Sequence, residues 1–121
     1  MKISEAILSF SQSEKIKSGL IWATHLLETR EAISPDRRVG ADQTVETLLG
    51  LIGHETQVIR NITKDKKWEE AELSINMALV MIRSKVPEES GYHLTNALSR
   101  VTSIGRRAMT ILKDIDRKSV V

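Results

Sequence analysis

The chain has 121 residues, which is the usual size of one domain and too few for two. It contains no cysteine, so disulfide bonds and thiolate metal sites are excluded. The formal net charge is only +2, but residues 91–121 are basic while the preceding part of the chain is slightly acidic. Residues 1–5 lack the apolar run of a secretory signal, and no apolar stretch approaches membrane-spanning length. We therefore expect a single cytoplasmic domain over residues 1–121 that does not enter membranes.

Periodicity predicts an all-α fold. Only two prolines and six glycines interrupt the chain, and no segment alternates strictly between apolar and polar residues as a strand would. Helix one is predicted over about residues 13–33, with Ser13 as its N-cap and an apolar face formed by Ile16, Leu20, Ala23 and Leu27. The preceding residues repeat the same spacing in a different phase, which predicts a short additional N-terminal helix or an ordered arm at Ile3, Ile7 and Phe10.

Helices two and three follow from the same three-and-four spacing. Helix two is predicted to begin at Pro35 or at Asp42 and to end near Thr63, with an apolar face formed by Val45, Leu48, Ile52, Ile59 and Ile62. Helix three is predicted over about residues 66–85, because Pro87 disfavours helical geometry in the residue before it. Its apolar face comprises Trp68, Ala71, Ile75, Ala78 and Ile82, and we expect Trp68 to lie in the core.

The fourth helix has the clearest pattern, and it completes the predicted architecture. It is predicted to begin at Glu88 or Gly91 and to reach Arg117, with a heptad-like apolar face formed by Leu94, Ala97, Val101, Ile104, Ala108, Ile111 and Ile115. Short connections between four helices predict an up-down-up-down antiparallel bundle. Helices two and four are predicted to be about half as long again as the other two, so part of their apolar faces would overhang one bundle.

Two segments are apolar on nearly every side, and they predict an interface. Residues 75–82 and 19–23 have too few polar residues for burial on one face alone. Either the bundle covers both sides of these segments, or a second chain does. We expect self-association as a homodimer or a larger oligomer, with another protein as a further candidate partner. The predicted interface residues are Trp22, Leu26, Met77, Val80 and Met81.

His54-Glu55 is the most suggestive dipeptide for catalysis. It resembles the start of a histidine-kinase phosphoacceptor box, and four-helix phosphotransfer domains are about this long, so the resemblance implies a phosphotransfer-like module with His54 as phosphoacceptor. His54 is predicted to point away from the core, as such a residue must. Gln57 and Val58 depart from the basic and small residues usual in phosphotransfer domains. Glu55 falls between two apolar-face positions, which predicts a functional acid, a residue at the edge of the core, or an ion pair with a basic residue of a neighbouring helix.

Other catalytic and cofactor motifs are missing from the sequence. No Glu-x-x-His pair occurs, as di-iron bundles require, and no glycine-rich phosphate-binding loop is present. We therefore expect no cofactor, no bound metal and no enzymatic activity. Gly50 and Gly53 lie three residues apart inside helix two, and we interpret them as a point of close helix–helix approach.

The outer face of helix four is basic, and it is the candidate nucleic-acid-binding surface. A row of cations could follow a phosphate backbone, although the face carries no aromatic residue for base stacking. Its members are Arg100, Arg106, Arg107, Lys113, Arg117 and Lys118. The sequence thus predicts a non-enzymatic helical-bundle interaction protein with an adaptor or regulatory role, the alternatives being a nucleic-acid-associated accessory protein and the phosphotransfer-like module.

Overall fold

Helices account for nearly all of the chain in the computed structural model, which describes residues 1–119. In chain order they are α1 (Ile3–Glu31), α2 (Arg38–Thr63), α3 (Lys66–Arg83) and α4 (Pro87–Ser119), and a 3-10 turn at Pro35–Arg37 precedes α2. Residues 1–119 contain no β-strand. The predicted all-α class and the four main helices are therefore confirmed.

Helix α1 begins about ten residues earlier than predicted, because the N-terminal segment is continuous with it. Ser13 is not an N-cap; it lies inside the helix, and its hydroxyl donates to the carbonyl of Phe10 at 2.7 Å. The buried face of α1 passes through Ala6, Ser9 and Ser13 before it reaches Ile16. The prediction missed the start of the helix because these small and polar residues do not extend the pattern of large apolar side chains. The expected separate N-terminal helix does not exist.

The predicted helix lengths were wrong for one helix. Helix α1 has 29 residues and is longer than α2, which has 26, while α3 has 18 and α4 has 33. The molecule therefore has three long helices and one short one, rather than long second and fourth helices. The reason is that α1 includes the whole N-terminal segment.

Local sequence determines where the short connections lie. Asp65 caps α3, because its side chain accepts a hydrogen bond from the backbone N–H of Lys67 at 2.9 Å. Lys64 adopts a left-handed conformation with φ 55° as α2 ends, and Lys85 does so with φ 67° just after α3. Pro87 is the first residue of α4, where its missing N–H costs no helical hydrogen bond.

Each helix packs along two of the other three. Helix α1 packs along α2 and α4, and α3 packs along the same two helices. Among the described residues the diagonal pairs do not pack along each other, although the side chain of Trp68 on α3 reaches α1 across the core. Along the α1–α2 contact Gln12 lies against Glu55, whereas Arg30 lies against Asp42, so residue numbers rise along α1 as they fall along α2. Trp68 and the predicted apolar-face residues of all four helices form the core, apart from half-buried Leu27 and Leu48, exposed Ile62, and the half-buried last positions of α4.

Close helix–helix approach occurs at two glycines, but not at the two that were predicted. A Cβ atom on Gly19 would lie 2.9 Å from Cγ1 of Ile52, and one on Gly105 would collide with the hydroxyl of Ser13. A Cβ on Gly50 would meet nothing within 4 Å, and one on Gly53 would make only ordinary contacts at 3.9 Å. Gly19 and Gly105 therefore bring α2 and α4 close to α1.

Candidate interaction surface

Trp22 projects from α1 beside α2 and is the centre of an exposed apolar surface. Its side chain is 63% exposed, and Leu51 on α2 is exposed to the same extent. Two open cavities adjoin Trp22, one of about 280 Å³ and the other of about 570 Å³, and both are also lined by Leu48. Ile21 and Leu26 extend this surface along α1. An indole this exposed among aliphatic side chains is typical of an interface anchor.

Helical spacing places a second apolar cluster further along the same two helices, two turns from Lys15 and Glu55. Leu8 on α1 is exposed, as are Val58 and Ile62 on α2. Ile62 was predicted to belong to the buried face, but the helix rotates it toward this surface. We call the two clusters and the residues between them the α1–α2 face. Its members are Leu8, Gln12, Lys15, Trp22, Leu26, Leu48, Leu51, Glu55, Val58 and Ile62.

Glu55 lies at the middle of the α1–α2 face and is held there by α1. Its carboxylate accepts a hydrogen bond from the Gln12 amide at 2.7 Å, and Lys15 Nζ lies 3.0 Å from its other oxygen. The Gln12 hydrogen bond, followed by the contact with Lys15, lowers the pKa of Glu55 in spite of partial burial. The contact with Lys15 on α1 confirms the expected ion pair between Glu55 and a basic residue of a neighbouring helix.

The core position that Glu55 was thought to approach belongs to Thr56. The Thr56 side chain is fully buried, and its hydroxyl donates to the Ile52 carbonyl at 2.8 Å. Helix α2 therefore presents Ile52, Thr56 and Ile59 to the core and turns Glu55 to its edge. A threonine can take the place of an apolar side chain there, because its hydroxyl donates a hydrogen bond to a backbone carbonyl of the same helix.

The predicted interface residues on α3 lie on a different side of the molecule. Val80 is 46% exposed, while Met77 and Met81 are half-buried. Leu73, one turn before Met77, is also exposed, so four apolar residues follow the outer side of this short helix. The α3 surface has fewer exposed large apolar residues than the α1–α2 face.

The basic residues of α4 do not form one continuous free row. Arg100 Nη1 lies 2.7 Å from Glu70 on α3, and Arg107 forms an ion pair with Asp65, the N-cap of the same helix. Those two cations therefore bind α3 to α4. Arg106, Lys113, Arg117 and Lys118 point elsewhere, and of these Arg106 and Lys113 line a groove of about 300 Å³ between α1 and α4.

Lys17 of α1 also lines the α1–α4 groove. The predicted basic surface did not include it, because that prediction considered α4 alone. The Lys17 ammonium group lies 3.0 Å from Glu14, which lines the same groove. Ser13 and Thr110 add hydroxyl groups to the lining. The groove therefore has three cations and one carboxylate around it, and its charge is positive.

His54 is exposed on α2, which agrees with its predicted orientation. Within residues 1–119 no group of three or more histidine, aspartate or glutamate side chains is placed to hold a metal ion. None of the helices in that range has the length and apolar character needed to cross a membrane. These observations add no chemistry to His54.

Comparisons with known proteins do not indicate a function for this chain. No protein-family model, curated protein or solved structure matches this chain. Its function is therefore inferred from its own surfaces.

Proposed function

We propose that this protein is a non-enzymatic helical-bundle interaction protein of the cytoplasm, and that it self-associates in an adaptor or regulatory role. The observation that carries the proposal is the exposure of Trp22 and Leu51 side by side on the α1–α2 face. Tryptophan is among the residues that contribute most to protein interfaces, and aliphatic neighbours supply the pocket that excludes water around it.

The proposed architecture is an up-down-up-down antiparallel bundle. Gln12 with Glu55, Arg60 with Glu72, and Arg107 with Asp65 each pair a residue from the first part of one helix, or its N-cap, with a residue from the second part of its neighbour. Short connections and the ring of helix contacts support the same arrangement. In such a bundle the groove between α1 and α2 runs nearly the full length of both helices, which gives the interface an extended shape.

Self-association explains why apolar side chains remain on this face. A soluble monomer usually keeps its contiguous exposed apolar patches small, and larger ones mark sites of interaction. Here the two apolar clusters contribute Leu8, Val58 and Ile62 at one end and Trp22 and Leu51 at the other, all exposed. Contact with a second chain would remove them from water.

Trp22→Ala should convert the associated protein to monomer. Truncation of a central interface tryptophan commonly costs about 2 kcal/mol or more of binding free energy, which raises the dissociation constant roughly thirtyfold. Light scattering at micromolar concentration, combined with sedimentation velocity, measures the change. Tyr92→Ala is the matched control, because Tyr92 is a 69% exposed aromatic residue on α4. A monomeric wild-type protein would contradict the proposal, and loss of association only in Val80→Ser would move the interface to α3.

The second candidate function is nucleic-acid binding, and the α1–α4 groove is the observation that favours it. Lys17, Arg106 and Lys113 surround this groove with positive charge, which would attract phosphate groups. The two arginines paired with α3 are not available in the same way.

Arg106→Gln/Lys113→Gln should lower the salt concentration at which the protein elutes from heparin, if this second function is correct. The reason is that binding to a polyphosphate or polysulfate releases counterions in proportion to the number of cations engaged. Anisotropy of a labelled DNA duplex provides a second measurement. Arg100→Gln is the control, since Glu70 already occupies Arg100. Wild-type protein that fails to bind heparin at low salt would remove this candidate.

A further inference from the structure

The α1–α2 face has a regular spacing that suggests what covers it. On α1, Leu8, Lys15 and Trp22 are separated by seven residues each. On α2, Leu48, Glu55 and Ile62 have the same separation. Seven residues are two helical turns, so each set lies along one side of its helix at intervals of about 10.5 Å. Each helix therefore presents an apolar residue, a charged residue and another apolar residue in the same rhythm.

The two sets are also level with each other, because α1 and α2 pack in opposite directions. Lys15 Nζ lies 3.0 Å from Glu55 Oε1 at the centre of the face. Trp22 and Leu48 line the same cavities on one side of that pair. Counting two turns the other way from Lys15 and Glu55 reaches Leu8 and Ile62. The face is thus a rectangle with apolar ends and one cation beside one anion in its middle.

We propose that a second copy of this chain covers the α1–α2 face, with a two-fold axis parallel to the two helices, so that Lys15 of each copy meets Glu55 of the other. The inference rests on the proposed self-association and specifies its geometry. With this axis, α1 of one copy packs on α2 of the other. Trp22 then contacts Leu48 and Leu51 of the second copy, and Leu8 contacts its Val58 and Ile62.

Charge complementarity favours this arrangement over the other face-to-face dimer. A two-fold axis in the interface but perpendicular to the helices would stack α1 on α1, which brings the two copies of Lys15 together and likewise the two copies of Glu55. Like charges in contact at an interface cost several kcal/mol, whereas alternating charges attract. The parallel axis pairs opposite charges and also pairs apolar groups. An unrelated partner would not require the same seven-residue spacing on both α1 and α2.

The contacts around Glu55 prepare it for this role. The Gln12 amide donates to one carboxylate oxygen at 2.7 Å and to the Glu55 backbone carbonyl at 3.1 Å, so the side chain is held in one orientation. Lys15 remains 61% exposed and can therefore contact a second carboxylate without leaving the first. In the dimer each carboxylate would lie between two ammonium groups, which compensates for the water that both lose.

Charge reversal tests whether Lys15 and Glu55 lie in the interface between the two copies. Lys15→Glu should leave two carboxylates facing two others across the interface, and Glu55→Lys should leave four cations there, so each variant alone should self-associate about tenfold more weakly or worse. An equimolar mixture of the two should form a heterodimer, since every charged contact across its interface joins opposite charges. The double variant Lys15→Glu/Glu55→Lys should recover the wild-type homodimer. Sedimentation velocity and native mass spectrometry measure these species.

The control reverses a charge on the same helix but away from the face. Lys17 forms an exposed ion pair with Glu14 on the side of α1 next to α4, so Lys17→Glu should leave the dimer unchanged. Helical circular dichroism of each variant shows whether the fold is intact, and rescue by mixing cannot be produced by unfolded chains.

Two outcomes separate this inference from the proposed function. If Lys15→Glu and Glu55→Lys both dimerise as the wild type does while Trp22→Ala is monomeric, the face is correct but the proposed register is wrong. If the wild-type protein is itself monomeric at micromolar concentration, both proposals are wrong.

Discussion

Trp68→Ala should lower the free energy of unfolding by about 3–5 kcal/mol, the range found when a buried aromatic side chain is removed from a core. Trp68 is the largest fully buried side chain, and it packs with residues of all four helices in a single core cluster. Its truncation would leave a cavity in the core beside the first turn of α3, just after the Asp65 N-cap. Urea unfolding followed by circular dichroism measures the change.

Trp68→Phe should lower the free energy of unfolding by less, because it keeps most of the aromatic volume. Its remaining cost includes the loss of the hydrogen bond that the indole Nε1 donates to Ser9 at 3.5 Å. Since self-association adds to apparent stability, both measurements are made in a Trp22→Ala background or at one fixed protein concentration. Trp22→Ala alone, at an exposed position, should change monomer stability little. A Trp68→Ala loss below about 1 kcal/mol, the level of an average point mutation, would mean that Trp68 is not packed as described.

Gly105→Ala should also destabilise the protein, although alanine is normally the better helix residue by about 1 kcal/mol. The added Cβ would collide with the Ser13 hydroxyl and lie 3.2 Å from Ser13 Cβ, so the hydroxyl would have to leave the Phe10 carbonyl or α1 and α4 would have to move apart. Overpacking of this kind typically costs about 1–3 kcal/mol. Thermal or urea unfolding measures the loss.

Gly50→Ala is the matched control for that result. Gly50 also lies inside a long helix, but a Cβ there meets nothing within 4 Å, so this variant should gain about 0.5–1 kcal/mol. Ser13→Gly should rescue Gly105→Ala, because it removes both atoms that the new methyl group meets. The double variant should therefore lose about 1 kcal/mol less than the sum of the two single losses, as expected for residues in contact. Strict additivity would contradict the described α1–α4 contact.

These stability effects and the association proposals concern different residues, some inside the bundle and others on its surface. Ser13 and Trp68 act inside the bundle, whereas Lys15 and Trp22 lie on its surface. Because side chains two residues apart on a helix point in different directions, Ser13 can fix the distance to α4 while Lys15 contacts α2. The same helix therefore holds the bundle together and carries half of the α1–α2 face.

The sequence by itself determined the all-α class, the four main helices, the end of α2 at Thr63, the start of α3 at Lys66, and the place of Trp68 in the core. Periodicity can do this because a helix repeats every 3.6 residues whatever it packs against. It also predicted that Trp22 would lie off the core face of α1. The start of α1 was missed, because buried Ser9 and Ser13 do not contribute to an apolar pattern.

Only the tertiary structure decided which residues of different helices meet. It paired Glu55 with Gln12 and Lys15, moved the close approaches from Gly50 and Gly53 to Gly19 and Gly105, and bound Arg100 and Arg107 to α3. Such contacts depend on how far each helix slides and rotates against its neighbour. That register is set by the packing of whole faces, so no local pattern in the chain records it.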